Sequence, residues 1–255
     1  MLEIRRLNMD NSWQIRWNNR TVVLDPWLSG DEVDGFKAFN QQWHNTTPLP
    51  YEDLGKVDAL IVSQPYSDHC HEETLSKMDK QVQWFAVPPA IKRLRKTTSQ
   101  PIGEIPSFPQ SIVHDGFHFS RITPKRFLDP IYHAIVIQHQ GNYIFYAPHG
   151  FFLSEEMATQ LKPMRCVALI TTFTHFTLPF FLGGLINPGV ENAIQLIQQL
   201  QPLQVLNTHD ENKKSSGMVS KLARVTYPDF STITLPSPAH ALWLDHYHWV
   251  ELNEA

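Results

Sequence analysis

The feature that most constrains this chain is a recurring pattern. Short runs of Val, Ile, Phe, Trp and Tyr are each closed by a polar loop. Such residues fill a pleated, half-buried surface well, so the runs predict strands. They lie at Leu2–Leu7, Trp13–Trp17, Thr21–Leu24, Ala59–Val62, Gln83–Val87, His118–Ile122, His133–Gln138, Asn142–Tyr146, Ala168–Thr172, Gln204–Asn207 and Ala241–Leu244. Gln138-His139-Gln140-Gly141-Asn142 joins two runs and predicts a hairpin turn. Helical spacing alternates with the later runs. Val190, Ala193, Ile194, Ile197 and Leu200 share one face of a helix over Val190–Leu200. Pro188-Gly189 precedes it and Pro202 stops it. Ser154 before Glu155 and Glu156 predicts a capped helix over Ser154–Leu161. Glu72–Met78, Pro89–Lys96 and Ser216–Ala223 are shorter candidates.

No repeat, low-complexity tract or linker interrupts this order. The reading is one α/β domain over residues 1–255, with two mixed sheets and helices outside. A chain of 255 residues suits one large domain or two small ones. Its 42% hydrophobic and 18% charged residues exclude disorder and coiled coil. The net charge is -4, from 21 Lys+Arg and 25 Asp+Glu, so the general basic footprint of a nucleic-acid binder is absent. The basic run Lys92-Arg93-Leu94-Arg95-Lys96 reads as a solvated helix face. Cys70 and Cys166 are the only cysteines, which excludes a disulfide scaffold and fits a reducing compartment. Met1–Trp13 lacks the apolar core of a signal peptide, and no apolar run reaches the ~20 residues of a bilayer span. A cytoplasmic location is therefore expected.

Three strand ends carry ligand-type residues. Ala59–Val62 leads into Ser63-Gln64-Pro65-Tyr66-Ser67-Asp68-His69-Cys70-His71-Glu72. Here Asp, His and Cys form a dense metal-capable set. Asn142–Tyr146 leads into Ala147-Pro148-His149-Gly150, and Gln204–Asn207 into Thr208-His209-Asp210-Glu211. Rigid strands fix the residues that follow them, so such loops commonly build sites.

These segments together resemble the metallo-β-lactamase fold superfamily over nearly the whole chain. Ser63–His69 after its strand resembles the histidine-rich signature. Asp25-Pro26-Trp27 resembles the N-terminal Asp-Pro turn, Tyr146–Gly150 the Gly-Asp-Thr loop, and Thr208-His209 the last histidine. The branch it looks most like is the one containing ascorbate-6-phosphate lactonase-like hydrolases. The resemblance implies an αββα sandwich of two mixed sheets flanked by helices.

The departures from the family pattern fall together. Gln64 and Tyr66 stand where the first two signature histidines belong, while Asp68 and His69 are kept. Thr123, Lys125 and Arg126 occupy the segment of the next isolated histidine, and His149 aligns with the bridging carboxylate. By resemblance, the first metal site is lost. Lys and Arg offer no lone pair and repel a cation. The second site is kept as Asp68, His69, His149 and His209. A neutral imidazole offers one lone pair at a time, so His149 fits one metal rather than a bridge between two.

The resulting expectation is a hydrolase of an ester, lactone or phosphoester with one divalent ion and a single metal-bound water. Zn is the first candidate, with Fe or Mn as the others. Asp68 would orient the water, and Tyr66 is a second catalytic candidate. Gln64, Lys125, Arg126 and His175 are substrate-binding candidates, the two basic residues for an anionic small molecule. His71 and Asp210 are candidates to support the ligands, with a helix-start role for His71 placed ahead. Cys70 reads as a packed residue rather than a nucleophile. The apolar, Gly-hinged segment Phe176–Ile186 reads as core, with a substrate lid, a homo-oligomer contact or a peripheral membrane contact as sharper readings. Two other functions stay open. One is a binding or regulatory protein that keeps the fold without metal. The other is a metal-free hydrolase using Tyr66 and His69 as acid and base.

Overall fold

A computed structural model describes residues 1–124 and 132–253. The chain divides into two units. One comprises Met1–Pro106, Glu211–Lys221 and Asp245–Glu251, the other Ser107–Asp210, Leu222–Leu244 and Leu252–Ala255.

The first unit opens with an antiparallel meander of β1 (Leu2–Arg6), β2 (Trp13–Trp17) and β3 (Arg20–Leu24). Leu2 lies opposite Trp17, and Trp13 opposite Leu24. β4 (Glu32–Asp34) and β5 (Asn40–Trp43) form a small antiparallel pair. Next come β6 (Ala59–Val62), β7 (Gln83–Ala86) and β8 (Ile102–Glu104), which extend the sheet beyond β3 in parallel. Every residue of Ala59-Leu60-Ile61-Val62 is buried, as a central parallel strand requires. α1 (Glu72–Ser76) follows β6, with His71 at its N-cap. α2 (Pro88–Thr97) begins on prolines, which lack only an N–H that a first helical turn leaves unpaired. It buries Ala90, Ile91 and Leu94 and leaves Lys92, Arg95 and Lys96 in solvent, as the sequence predicts.

The second unit mirrors that order of pairing. β9 (Ile112–His114), β10 (Phe117–Ile122), β11 (Ala134–His139) and β12 (Asn142–Ala147) are antiparallel neighbours. The β11–β12 turn places Gln140 at φ 50° and Gly141 at φ 82°, the double left-handed geometry of a tight hairpin. β13 (Arg165–Thr171) pairs parallel to β12. β14 (His175–Thr177) and β15 (Leu185–Pro188) form an antiparallel pair, and β16 (Gln204–Asn207) returns parallel to β13. α3 (Glu155–Leu161) is capped by Ser154, whose Oγ accepts from Met157 N at 3.3 Å. α4 (Val190–Leu200) lays Ala193, Leu196 and Ile197 into a core with Val136, Phe145 and Leu169.

The rest of the chain adds edges. β17 (Lys214–Ser216) pairs with β5, and α5 (Met218–Leu222) follows it. β18 (Arg224–Thr226) joins β14, β19 (His240–Ala241) joins β16, and β20 (Val250–Leu252) lies beside β1.

Several expectations change. The last predicted strand shrinks from Ala241–Leu244 to His240–Ala241. The segment Phe176–Ile186 is not core. It carries parts of β14 and β15, and Phe180 and Phe181 stand 82% and 78% exposed. Both cysteines are free and buried. Among the described residues, no helix is long and apolar enough to cross a membrane.

Candidate metal centre

The loop after β6 is shaped from below by buried carboxylates. Asp25, just past β3, is fully buried at φ 44°. It accepts from Ser63 N at 2.7 Å and also from Ser63 Oγ, fixing where the loop leaves the strand. His69 Nδ1–H donates to Asp25 Oδ2 at 2.8 Å. In the neutral ring that assigns the proton to Nδ1 and the lone pair to Nε2, which lies 3.6 Å from Asp68 Oδ2. A carboxylate on the far nitrogen of a histidine is the usual support of a metal ligand. Asn11 Nδ2 donates to the Asp68 carbonyl at 2.8 Å and holds the adjacent backbone. Burial works against charging His69, but Asp68 and Asp25 outweigh it and push the imidazole up to about 9.

In the second unit, His149 follows β12. Its Nδ1–H donates to Asn187 Oδ1 at 2.7 Å, so its Nε2 likewise keeps the lone pair. The neighbouring Gly150 is at φ +75°, and a Cβ there would meet Asn192 Oδ1 at 2.7 Å and Pro188 Cγ at 2.8 Å. Only glycine suits that turn. Asn192 then clamps the loop by bonding both Phe151 N and Phe151 O, at 3.0 and 2.9 Å. His209 follows β16 at φ 56°. The His149 and His209 rings meet edge to face, with centroids 4.5 Å apart.

The backbone adds an independent pointer. Among the described residues, the non-glycine positions with positive φ are Asn18, Asn19, Asp25, Asp115, Gln140, Gln201 and His209. Most sit in hairpin turns or at a helix end, where that geometry is routine. Asp25 and His209 are the exceptions, each at a strand end in this centre. Such a conformation costs on the order of 1 kcal/mol and persists where the surroundings over-determine it.

Asp68 and His69 in the first unit, and His149 and His209 in the second, each offer one atom of a kind that could hold a metal ion. The donor chemistry fits a divalent ion as well: one carboxylate and imidazoles whose Nδ1 protons are spoken for in two cases. Gln64 is fully buried, and neither of its amide atoms has a hydrogen-bond partner among the described residues. A buried amide left so calls for a ligand, an ion or a water.

The other candidate residues are placed as follows. Tyr66 is half-buried in the same loop, and the backbone N–H groups of His69 and Cys70 both donate to its carbonyl. His71 is engaged at both nitrogens, by Thr74 (3.0 Å) and by the Asp31 carbonyl (3.2 Å), and caps α1. Asp210 accepts from Thr172 Oγ1, Phe173 N and Thr174 N, and so fixes the loop after β13. His175 is exposed, with Nδ1 3.3 Å from the Pro188 carbonyl. Cys70 is buried, which pushes its thiol up to about 12 and removes it as a nucleophile. Lys125 and Arg126 lie outside the described residues.

Sequence reasoning missed Asn11, Asn187 and the pairing of Asp25 with His69. Asp25-Pro26 was visible as a turn, but not its partner. Two spaces adjoin these loops. Ser67 and His71 line a cleft of about 750 Å³ whose far wall carries Lys92, Arg93 and Lys96. Tyr132, His149, Phe151 and Ile186 line a small apolar pocket of about 30 Å³.

Residues 8–209 match the family described as Beta-lactamase superfamily domain. Nothing among curated proteins matches the chain. Solved structures do. YhfI, a metallo-beta-lactamase fold protein from Bacillus subtilis, is 11% identical over 98% of each chain, with a TM-score of 0.62. The isothiocyanate hydrolase from Delia radicum gut bacteria is 16% identical over 82% of this chain and 84% of that one, with a TM-score of 0.61. CmlA, a diiron β-hydroxylase from Streptomyces venezuelae, is 13% identical over 82% of this chain but 44% of its own, with a TM-score of 0.62. At these identities the likeness carries the fold, which is the α/β sandwich class that the sequence predicts.

Proposed function

Because the chain belongs to the Beta-lactamase superfamily domain family, we propose that it is a metal-dependent hydrolase of an ester, lactone or phosphoester that works with one divalent ion. The observation that supports this most is the set of four residues, Asp68, His69, His149 and His209, each of which offers one atom of a kind that could hold a metal ion. Those residues would hold the ion, Zn before Fe or Mn for such a set. When bound, it would supply Lewis acidity, lowering the pKa of water and polarising a carbonyl or phosphoryl oxygen.

The chain's own residues do the rest. Asp25 and Asn187 keep the Nδ1 protons of His69 and His149 in place, so both Nε2 atoms stay available. Asp68 orients the attacking water. The Gln64 amide, without partners among the described residues, is the proposed contact for a polar substrate atom. Tyr66, half-buried in the same loop, is the proposed proton donor to the leaving group.

Elemental analysis of protein purified without chelator tests the reading, beside His149→Ala and His209→Ala. About one ion per chain, lost in both variants, is expected. A chain that stays metal-free after exposure to Zn, Mn and Fe would be a binding protein on a hydrolase fold.

A further inference from the structure

The basic run on α2 and the cleft of about 750 Å³ that it lines are left unused by the hydrolase reading. Residues three and four apart are neighbours on a helix surface, so Lys92, Arg93 and Lys96 share one face of α2. Ala90, Ile91 and Leu94 are buried on the opposite side and fix which way that face looks. The same cleft is lined by three carboxylates, Asp31 ahead of β4 and Glu72 and Glu73 on α1.

The two signs of charge in this cleft are not equally engaged. Each carboxylate has a basic partner. Asp31 accepts from the Gln41 amide and lies 3.7 Å from Lys37 Nζ. Glu73 Oε1 accepts from Lys77 Nζ at 2.7 Å and from Ser29 Oγ at 2.9 Å. Glu72 Oε1 stands 3.6 Å from Arg93 Nε. Arg93 is held in turn by Nη1, which donates to the Pro65 carbonyl at 2.8 Å. Lys92 and Lys96, by contrast, form no ion pair and no side-chain hydrogen bond among the described residues. They stand at i and i+4, a like-charge pair that destabilises a helix. The whole chain carries a net charge of -4, so this excess of positive charge is local. A concave wall focuses the field of such charges and draws anions to it.

We infer that this cleft is a binding site for the phosphate group of a small molecule, with Lys92 and Lys96 as its ammonium donors and Arg93 beside them. A phosphate carries nearly two negative charges and several acceptor oxygens. Two flexible ammonium groups one helical turn apart supply matching charge and donors, and lysine binds phosphate as a point charge. Their mutual repulsion on α2 is relieved by the same anion. Pockets that take a whole small molecule span roughly 300–1,000 Å³, so this cleft has room for an ester beyond the phosphate itself. Neither Asp68 nor His69 lines it, so the inference stands apart from the metal centre and from the hydrolase reading.

The test is anion binding by the full-length chain, stripped of metal so that phosphate has no ion to bind. Wild type, Lys92→Gln/Lys96→Gln and Arg95→Gln are titrated by calorimetry at constant ionic strength. The probes are inorganic phosphate, glycerol 3-phosphate and ribose 5-phosphate, and thermal shift is read alongside. Both lysines are exposed, so the double variant is expected to fold as wild type does. Wild type is expected to bind one phosphate ester per chain and to melt higher with it. The double variant should bind about tenfold more weakly or worse, because two charge-assisted contacts are gone. Lys92→Arg/Lys96→Arg keeps the charge and should keep the binding. Arg95 is exposed on the same helix but does not line the cleft, so Arg95→Gln should keep wild-type affinity. Inorganic phosphate binding as tightly as the esters would uphold the site and name free phosphate as its ligand. Wild type that binds none of the three probes overturns the inference. So does a double variant that binds as wild type, or an equal loss in Arg95→Gln, which would reveal only diffuse attraction to a basic helix. Wild-type metal content, measured on unstripped protein, reads the hydrolase proposal separately.

Discussion

The two units hold their ligand-type histidines in opposite styles. In the first, His69 is backed by Asp25 and faced by Asp68, and Lys213 pairs with the buried Asp10. In the second, His149 is backed by a neutral amide, Asn187, and packed against Tyr132, whose ring centroid is 4.9 Å away. One side is a charged, fully buried network. The other is a neutral hydrogen bond in an aromatic setting. The difference teaches how the tasks divide. The charged side attracts a cation and fixes it by Coulomb energy, but in the metal-free protein its charges must satisfy one another. The neutral side would add nitrogen donors at no electrostatic cost.

Asp25→Ala should break this contrast most. It strips the partner from His69 Nδ1 and from Ser63 N and Oγ at once. Removing one member of a buried charged pair typically costs about 3–5 kcal/mol. Loss of the support behind a ligating histidine weakens metal affinity by roughly 10–100-fold. Both effects are expected, read by chemical denaturation of the stripped protein and by Zn competition with a chromophoric chelator. A stability within about 1 kcal/mol of wild type would show that the carboxylate network is not what holds this loop.

The pH dependence of the metal-free protein should be smaller but separable. The folded His69 sits at about 9, above the ordinary 6.5. A raised pKa favours the protonated form, so its contribution is complete below pH 6.5 and is lost as pH climbs through about 9. Glu32, raised to about 8 by burial and by Asp68, loses its share in the same direction from 4.5 upward. His133, pushed down to about 4 by burial, acts in the opposite sense but only below pH 6.5. Stripped protein is therefore expected to lose up to about 5 kcal/mol between pH 6.5 and 9.5, the larger share from His69. With metal bound, the lone pair of His69 is taken and that slope should flatten. A stripped protein equally stable at both ends of the window would contradict the charged-side account.

How much of this was legible beforehand depended on the range of the interaction. Ala59–Val62 and Val190–Leu200 match their elements residue for residue, because hydrophobic period and punctuation are local. The three-residue strands β4, β9 and β18 were invisible, since a run that short has no period to read. Asp68, His69, His149 and His209 could be named as candidates because each lies in a loop that follows a strand, the place where a chain exposes chemistry. Asn187 lies 38 residues from His149, and Lys213 lies 203 from Asp10. Nothing in their neighbourhoods announces those partners. The segment Phe176–Ile186 misled because composition cannot tell apolar core from an exposed apolar edge.

Asn187→Ala is the gentler counterpart of Asp25→Ala and sharpens the comparison from the neutral side. It leaves His149 Nδ1–H without its acceptor at 2.7 Å but removes no charge. One orphaned buried donor costs about 1–3 kcal/mol, less than an orphaned buried ion. The imidazole is then free to turn or to move its proton to Nε2, which would remove a ligand. Metal affinity should fall about tenfold, while the pH profile of the stripped protein keeps the wild-type slope. Asn187→Asp would change the character of the side instead. It places a carboxylate behind His149, as Asp25 stands behind His69, and should make His149 more basic. The second unit would then acquire the first unit's proton–metal competition: tighter metal binding above pH 8 and a new loss of stripped-protein stability as pH rises. If Asn187→Asp leaves that profile unchanged, the contrast between a charged and a neutral half is not what governs the site.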